Sequence, residues 1–429
     1  MTAVAAERIE SAAHAHAVAR RLAADFATGA ARRDRERALP HREIERLAAS
    51  GLLAVTVPAE FGGADLAPSA VAEVVRILAT ADPNIAQIPH SHFVYVNLLR
   101  LAGSREQRRR YLGQVLGGGT IANAQSERTS ATVAEIGTTV RPDGNRFRVD
   151  GVKYYCTGSL FADVLAVLTR LDDPGEQSGL APGEYVAYLP AESPGVRIVD
   201  DWNGIGQRTT GSGTVSFDGV LVDRDQLVAR SAAVRAPTGY GAFAQLLHAA
   251  IDTGIARGAL TAATDFVRTS SRPWFEANVD RAIDDPLLIQ RFGELAVSVA
   301  TAEAVLTAAS TAVDAAVGSP VTARTVSPVD PAPAGLEAND APGTASEDPV
   351  AAASLAVAAA KIVADRAANE VSAALFEVSG TRSAAADLNL HHFWRNARTH
   401  TLHDPVRWKY HHLGKSLLHD TPPPLHGVI

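Results

Sequence analysis

The chain has 429 residues, of which 46% are hydrophobic and 20% charged, with a formal net charge of -7. That length can bury a large core in two or three domains, and the mildly acidic balance, with no basic footprint for nucleic acid or an anionic membrane, argues for a small-molecule partner. A single cysteine, Cys156, excludes an intrachain disulfide and any multi-cysteine zinc or iron-sulfur site, which fits a reducing compartment.

The first ten residues are charged and hold no apolar run, so no signal peptide is expected. Residues 1–119 are rich in Ala, Arg, Glu and Leu at helical spacing, interrupted at Gly51 and between Pro58 and Gly63, and read as an α-helical domain. From 120 to 230 the pattern changes to short β-rich runs, among them Phe147-Arg148-Val149 and the stretches 164–168, 185–189, 196–199 and 214–217. Turn signals such as Pro142-Asp143-Gly144-Asn145 and Pro194-Gly195 separate them. Their spacing predicts a small antiparallel barrel or sandwich.

From 231 to 429 long alanine-rich helices return, expected near 244–272, 286–317 and 350–379, the pattern of a helix bundle. The apolar stretch 296–317 carries Glu303 and Asp314 and reads as a buried bundle helix rather than a membrane span. Residues 319–348 are dense in Pro, Ala, Thr, Gly and Asp and read as a mobile connection, with a lid over the site as the alternative. The glycines of 239–244 follow no convincing strand and fail the context test for a dinucleotide fingerprint.

Four strings in order resemble the acyl-CoA dehydrogenase family: Gly51-Leu52-Leu53-Ala54-Val55-Thr56-Val57-Pro58 with Glu60-Phe61-Gly62-Gly63, then Ala122-Asn123-Ala124-Gln125-Ser126-Glu127, then Lys153-Tyr154-Tyr155-Cys156-Thr157-Gly158, and finally Arg395-Asn396-Ala397-Arg398. The resemblance implies an α+β, mostly helical fold: an N-terminal α-domain, a central antiparallel β-domain and a C-terminal bundle. Departures from the dehydrogenase pattern point to a changed chemistry. Where many family members carry a Tyr-Glu-Gly run with the catalytic glutamate, this chain has His403-Asp404-Pro405, and the carboxylate is drawn back by roughly 1.5 Å, more than the 1 Å that already costs about a hundredfold in rate. In the segment that holds the adenine half of FAD, Glu377-Val378-Ser379-Gly380-Thr381-Arg382-Ser383 replaces a glutamine by an acid and fills two glycine positions. That disfavours FAD and favours FMN.

Asp200-Asp201-Trp202, Ile205-Gly206-Gln207-Arg208-Thr209-Thr210-Gly211-Ser212-Gly213 and Arg272-Pro273-Trp274 resemble the flavin monooxygenases built on that fold, namely dibenzothiophene monooxygenase and, most closely over 400–414, the sulfur-acquisition oxidoreductases. The resemblance implies reduced FMN from a separate NAD(P)H:flavin reductase, O2 as co-substrate through a C4a-hydroperoxyflavin, a small organosulfur substrate, a cytoplasmic location and a homotetramer built as a pair of dimers. Such chemistry needs a dry pocket, a donor for developing peroxide charge and a group that controls proton transfer, which histidine can supply. By this correspondence the expected catalytic residues are His403, His400, His92, Asn123 and Thr157. The expected cofactor-binding residues are Asn123, Ser126, Thr157, Trp202, Arg268, Arg272 and His403, and no metal is expected. Pro405 predicts that a helix bearing His400 and His403 on one face ends at Asp404. Two alternatives stand beside this reading. One is an FAD-dependent acyl-CoA dehydrogenase or oxidase with Asp404 as base; the other is a flavin-binding protein without turnover.

Overall fold

The computed structural model describes residues 6–128, 135–318, 348–427 and 429. Among the described residues, seven α-helices come first: α1 (Ala12–Ala27), α2 (Ala30–Glu36), α3 (His41–Ala49), α4 (Pro68–Ala81), α5 (Pro83–Gln87), α6 (His90–Ala102) and α7 (Arg105–Leu116). Their starts follow local chemistry. Asp82 accepts the Asn84 N–H ahead of Pro83, and Ser104 exchanges hydrogen bonds with Gln107 in a capping box.

The strands then follow as β1 (Ile121–Ala124), β2 (Thr139–Asp143), β3 (Arg146–Cys156), β4 (Val164–Leu171), β5 (Glu184–Pro190), β6 (Val196–Val199), β7 (Gly213–Val222) and β8 (Leu227–Ala229). They form one sheet in the order β6-β7-β3-β2-β4-β5-β8. Most pairs are antiparallel, but β1 and β2 both run parallel to β4, β1 along its first half and β2 at its end. Alternating apolar residues explain the sheet's packed face: Phe147 and Val149 of β3 meet Val215 and Phe217 of β7 and Leu165 and Val167 of β4 in a single cluster.

The bundle comprises α8 (Ser231–Arg235), α9 (Tyr240–Thr269), α10 (Pro286–Val317), α11 (Pro349–Ser379), α12 (His391–His400) and α13 (Val406–His419). Asp285 and Asp348 cap α10 and α11, each with proline at the first helical position. Helix α9 lies at the centre, sharing one apolar cluster with α1, α3 and α4 on one side and with α10 and α11 on the other. The N-terminal helices and the bundle thus have a common core, which fixes α6 and α4 relative to α9.

One expectation is modified and another is not reached. The stretch 296–317 is not buried all round: α10 packs on α9 and α11 through one stripe, Leu295, Val299, Ala302, Leu306, Ala309 and Val313, while Leu287, Ile289 and Val297 are exposed. Among the described residues it is also the helix long and apolar enough to cross a membrane by length and composition. The Pro-rich segment 319–348 lies outside the described residues except for Asp348.

Candidate active site

The C-terminal turn carries the histidine signature. Helix α12 stops at His400, and Thr401 closes it with its N–H on Ala397 O, so the helix ends before Asp404, although the rings of His400 and His403 both still meet His248. The cause is the inward turn of Asp404. Its carboxylate lies 2.5 Å from Lys409 Nζ of α13 in a contact that is ionic rather than along a hydrogen-bond direction, and both groups are buried. Asp404 also faces His403 Nδ1 at 3.3 Å. Burial raises its carboxyl, but His403, Lys409 and Lys361 outweigh that and hold it well below the usual range. A carboxylate so occupied is a poor base.

His400 and His403 differ sharply. His400 is buried, with Nδ1 at 2.5 Å from Asp252 Oδ1 and Nε2 at 3.1 Å from His248 Nδ1. The His403 side chain is 42% exposed, and its ring stacks on that of His248 with centroids 3.9 Å apart. His90 of α6 stacks on His248 at the same separation, and its Nε2 meets Ala244 O at 2.9 Å. Burial pushes the imidazoles of His90, to about 3, and of His248, well below the ordinary value, toward the neutral form.

His92 is placed otherwise. Its Nε2 meets Leu53 O at 2.8 Å and its Nδ1 accepts the Ile121 N–H at 3.1 Å, so both ring nitrogens are engaged with backbone and the residue pins α6 to β1. That frame positions Asn123 on β1. The Asn123 side-chain oxygen is buried without a hydrogen-bond partner among the described residues.

Around the end of β3 a line of hydroxyls runs from Thr157 Oγ1 to Ser212 Oγ at 2.8 Å, on to Thr210 Oγ1 at 2.7 Å and to Gln207 O at 2.9 Å. Trp202 Nε1 donates to the same Gln207 carbonyl at 2.7 Å, while the Gln207 N–H is taken by Asn396 of α12 at 2.7 Å. The turn can approach α12 so closely because position 206 is glycine: a Cβ there would lie 1.9 Å from Arg395 O. Trp202, Ser212, Tyr155 and Arg128 line a cleft of about 260 Å³ together with Asp201 and Thr214. Tyr155 sits at φ 57 and Arg128 lies over its ring at 4.9 Å. A left-handed backbone at a bulky residue is uncommon and held by its surroundings.

Ser126 is exposed and contributes its carbonyl to Tyr154 N–H at 2.9 Å. Arg268 and Arg272 are exposed at the far end of α9. Arg268 stands twenty residues along that helix from His248, about 30 Å at 1.5 Å per residue. Within one chain the two arginines therefore lie away from the histidines. Glu377 pairs with Arg291 at 3.2 Å.

The residues present fit a flavin. An orphaned buried amide oxygen at Asn123, a row of hydroxyls and two aromatic walls offer the acceptors, donors and stacking surfaces that a flavin ring needs. Sequence reasoning missed His90, His248, Asp252, Lys361 and Lys409. The signal was present: Gln245, His248 and Asp252 recur at helical spacing in the otherwise apolar α9, and Lys361 interrupts an alanine-rich run in α11.

Comparison with known proteins identifies the family. The sequence matches the acyl-CoA dehydrogenase N-terminal domain over residues 10–119, the middle domain over 122–220 and the C-terminal domain over 246–408. It is 33% identical to dibenzothiophene monooxygenase of Rhodococcus qingshengii, covering 94% of this chain and 92% of that protein. It is 30% identical to a protein of Pseudomonas putida named probable FMNH2-dependent monooxygenase SfnC, over 95% of each. The crystal structure of FMN-bound TdsC from Paenibacillus sp. A11-2 superimposes with a TM-score of 0.85 at 30% identity, over 97% of this chain and 100% of that one. With a preserved scaffold, a carboxylate locked in an ion pair and histidines in its place, the chain belongs to the FMNH2-dependent flavin monooxygenases of acyl-CoA dehydrogenase fold and not to the FAD-dependent dehydrogenases.

Proposed function

We propose that this monooxygenase transfers one oxygen atom of O2 to the sulfur of a small organosulfur compound, using FMNH2 delivered by a separate NAD(P)H:flavin reductase. The observation that carries the chemistry is His403: among the four clustered imidazoles it alone is largely exposed, and it rests on the buried, neutral His248. When bound, reduced FMN supplies the two electrons that activate O2. The sum is substrate, O2 and FMNH2 giving the sulfur-oxygenated product, water and FMN.

The chain's own groups then have these parts. His403 holds or releases a proton at the substrate, with its ring fixed by the His248 stack and its Nδ1 by Asp404. Asn123 would offer its buried amide oxygen to a flavin N–H, and Thr157, whose hydroxyl meets Ser212 Oγ at 2.8 Å, would hydrogen-bond the flavin. Trp202 would wall the cleft beside the flavin. His400 acts from behind, through His248, and His92 through the placement of β1.

Arg268 and Arg272 serve the FMN phosphate of a neighbouring chain in a homotetramer, a pair of dimers. The exposed Trp274, Phe275, Leu287 and Val297 beside them support a covered surface there. The cytoplasm, where a reductase keeps FMN reduced, is the compartment this reading implies. The test supplies FMNH2 through a reductase and presents sulfides, sulfinates and thiophenes in parallel. A sulfur-oxygenated product with H2O2 release suppressed by that substrate is expected; H2O2 alone on every sulfur compound, with turnover of an acyl thioester, would overturn the proposal.

A further inference from the structure

Behind the exposed His403 runs a line of buried groups that no substrate can reach. Lys361 Nζ of α11 lies 2.7 Å from Asp252 Oδ2, Asp252 Oδ1 lies 2.5 Å from His400 Nδ1, and His400 Nε2 lies 3.1 Å from His248 Nδ1. Each of the four residues is 2% exposed or less. Burial raises the Asp252 carboxyl, but His400 and Lys361 outweigh that and keep it ionised, while Asp252 and Asp404 hold Lys361 charged against its own burial. The ammonium and the carboxylate neutralise each other, which leaves the two imidazoles to be neutral.

That charge state sets the direction of every proton in the line. An ionised carboxylate only accepts, so His400 donates its Nδ1–H to Asp252 and presents a lone pair at Nε2. His248 must then donate its Nδ1–H to His400. The remaining nitrogen, His248 Nε2, is left as a bare acceptor with no protein partner among the described residues, on a ring held between those of His90 and His403.

We propose that Lys361, Asp252, His400 and His248 form a proton relay serving the active site, in which Lys361, Asp252 and His400 are positioning residues that hold His248 with Nε2 open to receive a proton behind His403. In the forward step an N–H bond forms at His248 Nε2, the His248 Nδ1–H bond breaks, and its proton forms a new N–H bond at His400 Nε2. His248 ends neutral in its other tautomer, and His400 ends as an imidazolium against the Asp252 carboxylate. No electron moves, and the reverse step returns the proton. The groups facing the relay are His90 from α6, His403 and Asp404 from the turn after α12, Lys409 from α13 and Asp365 from α11. The inference deepens the monooxygenase reading and rests on it.

Ring-nitrogen NMR of the full chain labelled at histidine, with and without FMN, tests the relay directly. His400→Gln and His248→Phe assign the signals, and the phenyl ring preserves the stack. Both histidines are expected as Nδ1–H tautomers, and the paired variant Asp252→Asn with Lys361→Met, which keeps the line uncharged, is expected to release that preference at His400. In turnover, His248→Phe should keep FMN affinity within about twofold while product per FMNH2 consumed falls on the order of 10- to 100-fold and its pH profile flattens. An Nε2–H tautomer at His248, or an unchanged yield and pH profile in His248→Phe, would overturn the relay. Absence of product from the parent itself on all sulfur compounds would instead overturn the substrate reading, a result the tautomer spectra keep distinct.

Discussion

Replacing Asp404 by asparagine separates structural from catalytic carboxylate. The Asp404 and Lys409 side chains are 4% and 1% exposed and in direct contact, so the variant takes the charged partner from a buried ammonium that otherwise donates to Gln245 Oε1 at 3.1 Å. Breaking a buried pair from one side costs about 3–5 kcal/mol. Asp404 is held below the carboxylate range in the folded chain, so its contribution is present above the unfolded value of about 3.9 and is lost as pH falls below it. At pH 7 the whole loss should therefore appear. Denaturant unfolding of Asp404→Asn should show it, and the double variant Asp404→Asn with Lys409→Met, which removes the ammonium as well, should regain much of it. Measured well below the unfolding transition, Asp404→Asn should retain substantial oxygenation, whereas His403→Ala should lose product far more than flavin binding. A variant of unchanged stability whose turnover fell by about 10²–10⁴-fold, the contribution of a general base, would restore Asp404 as the catalytic residue.

Asn123→Ala should leave the unfolding free energy of the flavin-free protein unchanged or slightly raised, since its buried oxygen has no protein partner among the described residues. The same change should weaken FMNH2 binding by about 0.5–1.5 kcal/mol in a titration. Alanine at Arg268 or Arg272 should weaken FMNH2 binding by roughly 1.5–3 kcal/mol for at least one of them, and only in the assembled oligomer; a monomer by sedimentation with full activity would refute that placement. Stability should fall as pH drops from 6.5 toward 4, because burial holds His90 at about 3 and His92 and His392 at about 4. Each binds a proton on unfolding but not when folded in that window, a slope of up to about 1.4 kcal/mol per pH unit. Asp365, raised by burial to about 6, and Asp82, also raised by burial, oppose them as two groups against three, so a flat or rising stability profile below pH 6 would contradict the burial of those histidines.

The fold was legible because its strings are local. Phe147-Arg148-Val149 alternates within β3, and prolines at 286 and 349 open the long helices. The branch was legible at 403–405 and 377–383, where single replacements change what a carboxylate or a backbone can do. The relay was not, since Asp252 meets Lys361 from 109 positions away and each polar residue alone reads as an accident in an alanine-rich helix. Proline chemistry placed the end of α12 too late because the pull of Lys409 on Asp404 is a tertiary contact. A buried histidine and an exposed one also look alike in sequence: His92 and His403 differ only in what surrounds them, backbone on both nitrogens in one case and an open edge in the other.

Oxygen transfer from O2 is the central claim, and isotope labelling addresses it directly. With FMNH2 from a reductase, an organosulfur substrate and heavy-isotope-labelled O2, mass spectrometry of the product should show one labelled oxygen on sulfur and, from the same reaction, labelled water. Product oxygen carrying the solvent's isotope, or an acyl thioester desaturated with O2 playing no part, would contradict the account.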